Sequence, residues 1–132
     1  MTIERLPSSK TRRHRQQDVL DVVDRYFEGL YIGDVALLKA IFHPQAVLFG
    51  EVKGQPYLKP IAEYLEIIAN RASPRDLGEP FRMEALAVEV LGDVAYARVH
   101  SPMLGGNYFD YLALVRQDDR WLIVNKLFTH VA

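Results

Sequence analysis

The chain has 132 residues, 49% apolar and 25% charged, with a net charge of −1 and no cysteine. That is one domain's worth of chain, and it excludes a disulfide scaffold, a thiolate metal site and a cysteine nucleophile; no apolar run reaches the roughly 20 residues that span a bilayer. Residues 1–17 carry five basic side chains and one acidic one, and the rest carries an acidic excess of five, so the folded body is a poor surface for nucleic acid.

Residues 1–16 hold Pro7, Ser8 and Ser9 without periodicity and are expected to form a basic, flexible arm ahead of a single domain at 17–132. The arm lacks the apolar stretch of a secretory signal, so a soluble cytoplasmic protein is expected. From Gln17, Val19, Val22, Val23, Tyr26, Phe27 and Leu30 recur at spacings of three and four, which predicts an amphipathic helix. Gly33 stops it and Asp34 suits the cap of a second, short helix from Val35 to Phe42. Pro44 ends that helix. A strand is predicted at 46–52, a turn at Lys53-Gly54 and a return strand at 55–58. A third helix starts at Pro60 with Ile61, Tyr64, Leu65 and Ile68 on its apolar stripe.

After Pro80 the period changes to two. Strands are predicted at 81–91, 94–103, 108–116 and 120–130, with turns at Gly92-Asp93, Gly105-Gly106-Asn107 and Gln117-Asp118-Asp119. Three helices followed by an antiparallel meander make an α+β fold with the helices on one face. There is no glycine-rich phosphate loop and no nucleophile elbow. His14, His43, His100 and His130 show no metal-ligand spacing, so neither metal nor cofactor is expected.

The run Tyr26…Gly33-Asp34, then Leu38…Phe42-His43-Pro44, Gly92-Asp93-Val94-Ala95, Asp110-Tyr111-Leu112 and Trp121…Asn125-Lys126-x-Phe128 resembles the nuclear transport factor 2-like superfamily. Within it, the chain is most similar to the group named "Putative lumazine-binding", close to the SnoaL-like group. The resemblance covers residues 17–131. It implies a cystatin-like cone: a strongly curved antiparallel sheet wrapping three N-terminal helices, with a pocket at the open end and homodimers formed through the outer sheet face. The superfamily holds isomerases, dehydratases, cyclases and transport adaptors, so the fold does not fix the function.

By similarity to the ketosteroid isomerase branch, Tyr26 stands at the oxyanion tyrosine and Asp110 at the protonated aspartic acid. The base position falls on Gly50, which cannot take a proton. With Asp110 inward, strand alternation and the resemblance send Tyr108, Leu112 and Leu114 inward. They also send Tyr96, Arg98 and His100 inward on the strand before. Leu122, Val124, Lys126, Phe128 and His130 follow on the last strand, with Trp121 and Ile123 outside.

The expected ligand site is therefore Tyr26, Arg98, His100, Asp110, Lys126 and His130 among Phe49, Tyr64, Leu112 and Phe128. The alternative is a register one residue off, which places Arg98 and Lys126 on the outer surface. His43 reads as a helix-end residue. The leading functional expectation is a small-molecule-binding protein for an aromatic or anionic ligand. One alternative is a proton-transfer enzyme using Asp110, His100 and Tyr26; the other is an interaction module using the sheet face.

Overall fold

The computed structural model describes residues 9–132. Helix α1 (Ser9–Ile32) buries Val19, Val22, Val23, Tyr26, Phe27 and Leu30, the stripe its period dictates. Its last turn closes with the Asp34 N–H donating to Gly29 O at 2.9 Å. Asp34 then caps α2 (Val35–Ile41), its Oδ1 accepting the Leu37 N–H at 3.0 Å. Strands β1 (Phe42–Val52) and β2 (Gln55–Pro60) form a hairpin that delivers the chain to α3 (Ile61–Ala69). The meander follows as β3 (Glu84–Leu91), β4 (Val94–Met103), β5 (Gly106–Gln117) and β6 (Arg120–His130).

The six strands make one curved, unclosed sheet in the order β2-β1-β6-β5-β4-β3. All neighbours are antiparallel except β1 and β6, which run parallel from Phe42↔Ile123 to Gly50↔Phe128. The helices lie on the inner face, and one apolar core joins all three to the sheet. This is the α+β cone expected of the sequence. Among the described residues no helix is long and apolar enough to cross a membrane.

Several boundaries differ from the sequence expectation. Part of the expected arm, residues 1–8, lies outside the described residues; from Ser9 the chain is already α1. Arg15 shows what draws the helix back along the sheet: its Nη1 donates to Gly92 O at 2.9 Å and stands 3.9 Å from Asp93, across the β3–β4 turn. Strand β3 begins at Glu84 rather than Phe81, because Phe81 packs edge-on against Phe27 and Tyr31 of α1 instead of pairing.

Two local features decide which residues face the interior. The β4–β5 turn has two residues, Leu104 and Gly105, both in the left-handed region at φ 50 and 79, as a tight hairpin with right-handed twist requires. Met103 therefore pairs with Gly106 and Val99 with Asp110. The inward set on β4 is Ala95, Ala97, Val99, Ser101 and Met103. A three-residue turn beginning at Gly105 shifts this by one, which is why Tyr96, Arg98 and His100 were expected inside and are found on the outer face. The second feature is a bulge in β6 opposite Ala113 and Leu114. The extra residue changes the phase of the strand. Trp121 and Ile123, expected outside, are buried in the core, while Lys126 and Phe128 keep their inward direction.

Candidate functional site

The interior is not filled at the end where β4 finishes and β5 begins. A cavity of about 190 Å³ remains there between α3 and the sheet. Its buried floor is formed by Tyr64, Ser101, Met103, Asp110, Lys126 and Phe128. Its partly exposed rim is formed by Val52, Tyr57, Ile67, Arg71, Leu104 and Tyr108. Of the four buried polar or charged residues among those described, Ser101, Asp110 and Lys126 belong to this floor.

Asp110 is 1% exposed. Its Oδ2 accepts from the Tyr26 hydroxyl at 2.6 Å and from the Ser101 hydroxyl at 3.2 Å; its Oδ1 is buried without a partner. The short bond from Tyr26 joins α1 to β5 and is of the strong, charge-assisted kind. Burial first, and then the charge of Asp110, hold the Tyr26 hydroxyl well above its ordinary value of 10.0.

Lys126 is 4% exposed and enters none of the ion pairs among the described residues. Its Nζ donates to the Tyr64 hydroxyl at 3.2 Å and sits 4.8, 5.2 and 5.4 Å from the ring centres of Tyr64, Phe128 and Tyr26. Burial alone would lower its pKa; Tyr64 and Asp110 outweigh it and raise the ammonium above its ordinary 10.5. Arg71 approaches the same Tyr64 ring at 5.8 Å and has a buried Nη2 without a partner. Burial also raises the Tyr57 hydroxyl on the rim.

Of the ten site residues expected from sequence, Tyr64, Asp110, Lys126 and Phe128 line the cavity. Tyr26 reaches it through Asp110, and Leu112 is fully buried in the apolar core. The other four are corrected. Phe49 is 46% exposed, because Leu48 takes the inward position of β1. Arg98 is exposed on the outer face, and His100 stacks there on Phe109. His130 stands beyond the rim, its Nδ1 accepting the Asn107 N–H at 2.9 Å. His43 makes only a local contact, accepting the Gln45 N–H.

The residues missed by sequence reasoning carried a readable signal. Arg71 lies seven residues after Tyr64 and three after Ile68, on the continuation of the α3 stripe. Ser101 and Met103 continue the small-or-apolar alternation Ala95, Ala97, Val99.

The profile of the family described as "Putative lumazine-binding" matches residues 14–129. The chain belongs to this family. No curated protein matches it. Among solved structures, it is similar to an NTF2-like protein of unknown function from Shewanella baltica OS155, at 22% identity and TM-score 0.79 over 96% of this chain and 98% of that one. Another of unknown function, from Silicibacter pomeroyi DSS-3, superposes at 19% identity and TM-score 0.77 over 90% and 98% of the two chains. The CaMKII hub of S. rosetta matches at 19% identity and TM-score 0.66 over 88% and 96%. At these identities the likeness is one of fold.

At Gly50 the inner wall is closed by packing. A Cβ on Gly50 would lie 2.6 Å from Cδ1 of Phe128, well inside contact distance. The backbone oxygen and the ring of Phe128 together fill the space a side chain at 50 would need. Among the described residues no cluster of three metal-ligating side chains exists. What remains chemically is a cationic, aromatic-walled recess with one free carboxylate oxygen.

Proposed function

We propose that the protein is a receptor for a small aromatic or anionic compound held inside the cone. The observation that carries this reading is Lys126: a buried ammonium lining a cavity, surrounded by rings and joined to no carboxylate. The charge of Asp110 acts on this ammonium without a direct ion pair; a buried cation so placed is costly, and an anionic ligand supplies the direct partner. The family's name points the same way, towards a planar heteroaromatic ligand. Isomerase-type proton transfer has less support, since Gly50 offers no base.

The test is a thermal-shift screen of aromatic carboxylates and pteridine-type heterocycles. Wild type is compared with Lys126→Met and with Arg98→Met, each measured against its own unliganded melting point. Stabilisation of wild type and Arg98→Met, with none in Lys126→Met, is the expected result. Equal shifts in all three proteins remove Lys126 from the site.

A homodimer through the outer face has its own support. Strand register aligns Leu58, Phe49, Leu127, Tyr111 and Arg98 in one row across β2, β1, β6, β5 and β4. The first four are 46–58% exposed. A contiguous apolar row of this kind is a contact surface. Sedimentation of wild type and Leu127→Lys checks it, the wild type being dimeric and the variant monomeric.

A further inference from the structure

We infer that the ligand is a monoanion of one-ring size that also carries an N–H or O–H donor, its negative group held between Lys126 and Arg71 and its donor received by Asp110 Oδ1. This deepens the receptor reading and rests on it.

Size sets the first limit. A cavity of about 150 Å³ in an apolar core takes one benzene ring, and this one measures about 190 Å³. The walls suit a ring: Tyr57 and Tyr108 meet Phe128 edge-on at 5.2 and 6.1 Å, leaving aromatic edges and faces to receive it.

Charge sets the second limit. The lining holds two cations, Lys126 and Arg71, and one carboxylate, Asp110. Both cations approach the ring of Tyr64, at 4.8 and 5.8 Å, so both stand beside the same wall of the recess. A single negative charge between them brings the lining to neutrality. A second one would face Asp110 in a site where charges are poorly screened.

The unsatisfied atoms set the third limit. Three buried side-chain polar atoms among the described residues have no partner, and two of them, Arg71 Nη2 and Asp110 Oδ1, are on residues that line this cavity. Buried groups left in this state are costly. Asp110 Oδ2 already receives two hydroxyls, which fixes Oδ1 as the acceptor offered to a ligand. An apolar substituent in that place leaves it unsatisfied, and an N–H or O–H satisfies it. Discrimination built on a buried unpaired polar atom is strong.

The test is calorimetric titration of the full chain with benzoate, the three aminobenzoates, their three methyl isosteres and the three benzene dicarboxylates. At least one aminobenzoate is expected to bind about tenfold or more tighter than its methyl isostere, and every dicarboxylate more weakly than benzoate. In Asp110→Asn the preference for the amino compound disappears, because the two hydroxyls hold the amide oxygen and turn its NH₂ towards the ligand. Arg71→Met weakens amino and methyl compounds equally. If wild type binds the methyl compounds as well as the amino ones at all three positions, the inference is overturned and the receptor reading stands. If it binds none of the series and the wider screen shows no Lys126-dependent shift, the receptor reading fails and takes the inference with it. The wild-type comparison needs no variant to fold.

Discussion

At one end of the inner sheet face, Ala95, Leu114 and Ile123 form one cross-strand row of the apolar core with no ionisable group in it. At the other end, a few residues along the same strands, Ser101, Asp110 and Lys126 are equally buried but surround a cavity. Both ends are made by the same alternation on β4, β5 and β6. The first end uses it to exclude water with hydrocarbon, which stabilises the fold directly. The second buries a carboxylate and an ammonium that apolar side chains of similar size would replace without loss of stability. On the receptor reading proposed above, the apolar end holds the cone together and the polar end is kept for the ligand.

The largest effect that sharpens this contrast is at the apolar end. Leu114→Ala, at a site 2% exposed, is expected to cost about 4 kcal/mol in urea denaturation, as cavity formation in a packed core does. Lys126→Met alone is expected to cost about 3 kcal/mol, because it leaves the Asp110 carboxylate buried with less compensating charge. Adding Asp110→Leu and Tyr26→Phe to Lys126→Met removes both buried charges and the Tyr26 hydroxyl bonded to one of them, and that triple variant is expected within about 1 kcal/mol of wild type while binding nothing. A triple variant as damaged as Leu114→Ala breaks the contrast, since the polar end is then structural as well.

The last prediction concerns alkali. Tyr26 and Lys126 both have folded pKa values raised above their ordinary 10.0 and 10.5. A group raised on folding holds its proton more tightly in the native state, so its stabilisation is complete below the unfolded pKa and is lost as pH rises through the folded one. Melting temperature is therefore expected to fall above about pH 10, and to fall less in the triple variant, which has neither group.

The fold was legible because its signals are periodic and local. The stripe of α1, the cap at Asp34 and the change of period after Pro80 each fix an element without tertiary information. The polar floor was half legible. Asp110, Lys126, Phe128 and Tyr64 carry their direction in the strand and helix patterns, and the structure brings them to the cavity. Arg98 and His100 were misplaced at one turn: Gly105-Gly106-Asn107 reads as a three-residue turn, while the chain bends in two residues at Leu104-Gly105, with leucine itself left-handed. Trp121 and Ile123 were misplaced by the β6 bulge, which no residue type announces. Alternation transmits such an error along a whole strand. Arg71 escaped because it follows the last turn of α3, where helical periodicity stops being counted.

The crowding of Gly50 by Phe128 bears on how such a cone could change trade. A mutation installing an acid at 50 meets the backbone oxygen of Phe128 as well as its ring, so it displaces the neighbouring strand before it confers any reactivity. Shrinking the ring removes one wall of the recess and still leaves the backbone oxygen of Phe128 in the way. A side chain at this position therefore needs the β1–β6 pairing at Gly50↔Phe128 to shift, a change of backbone and not of one ring.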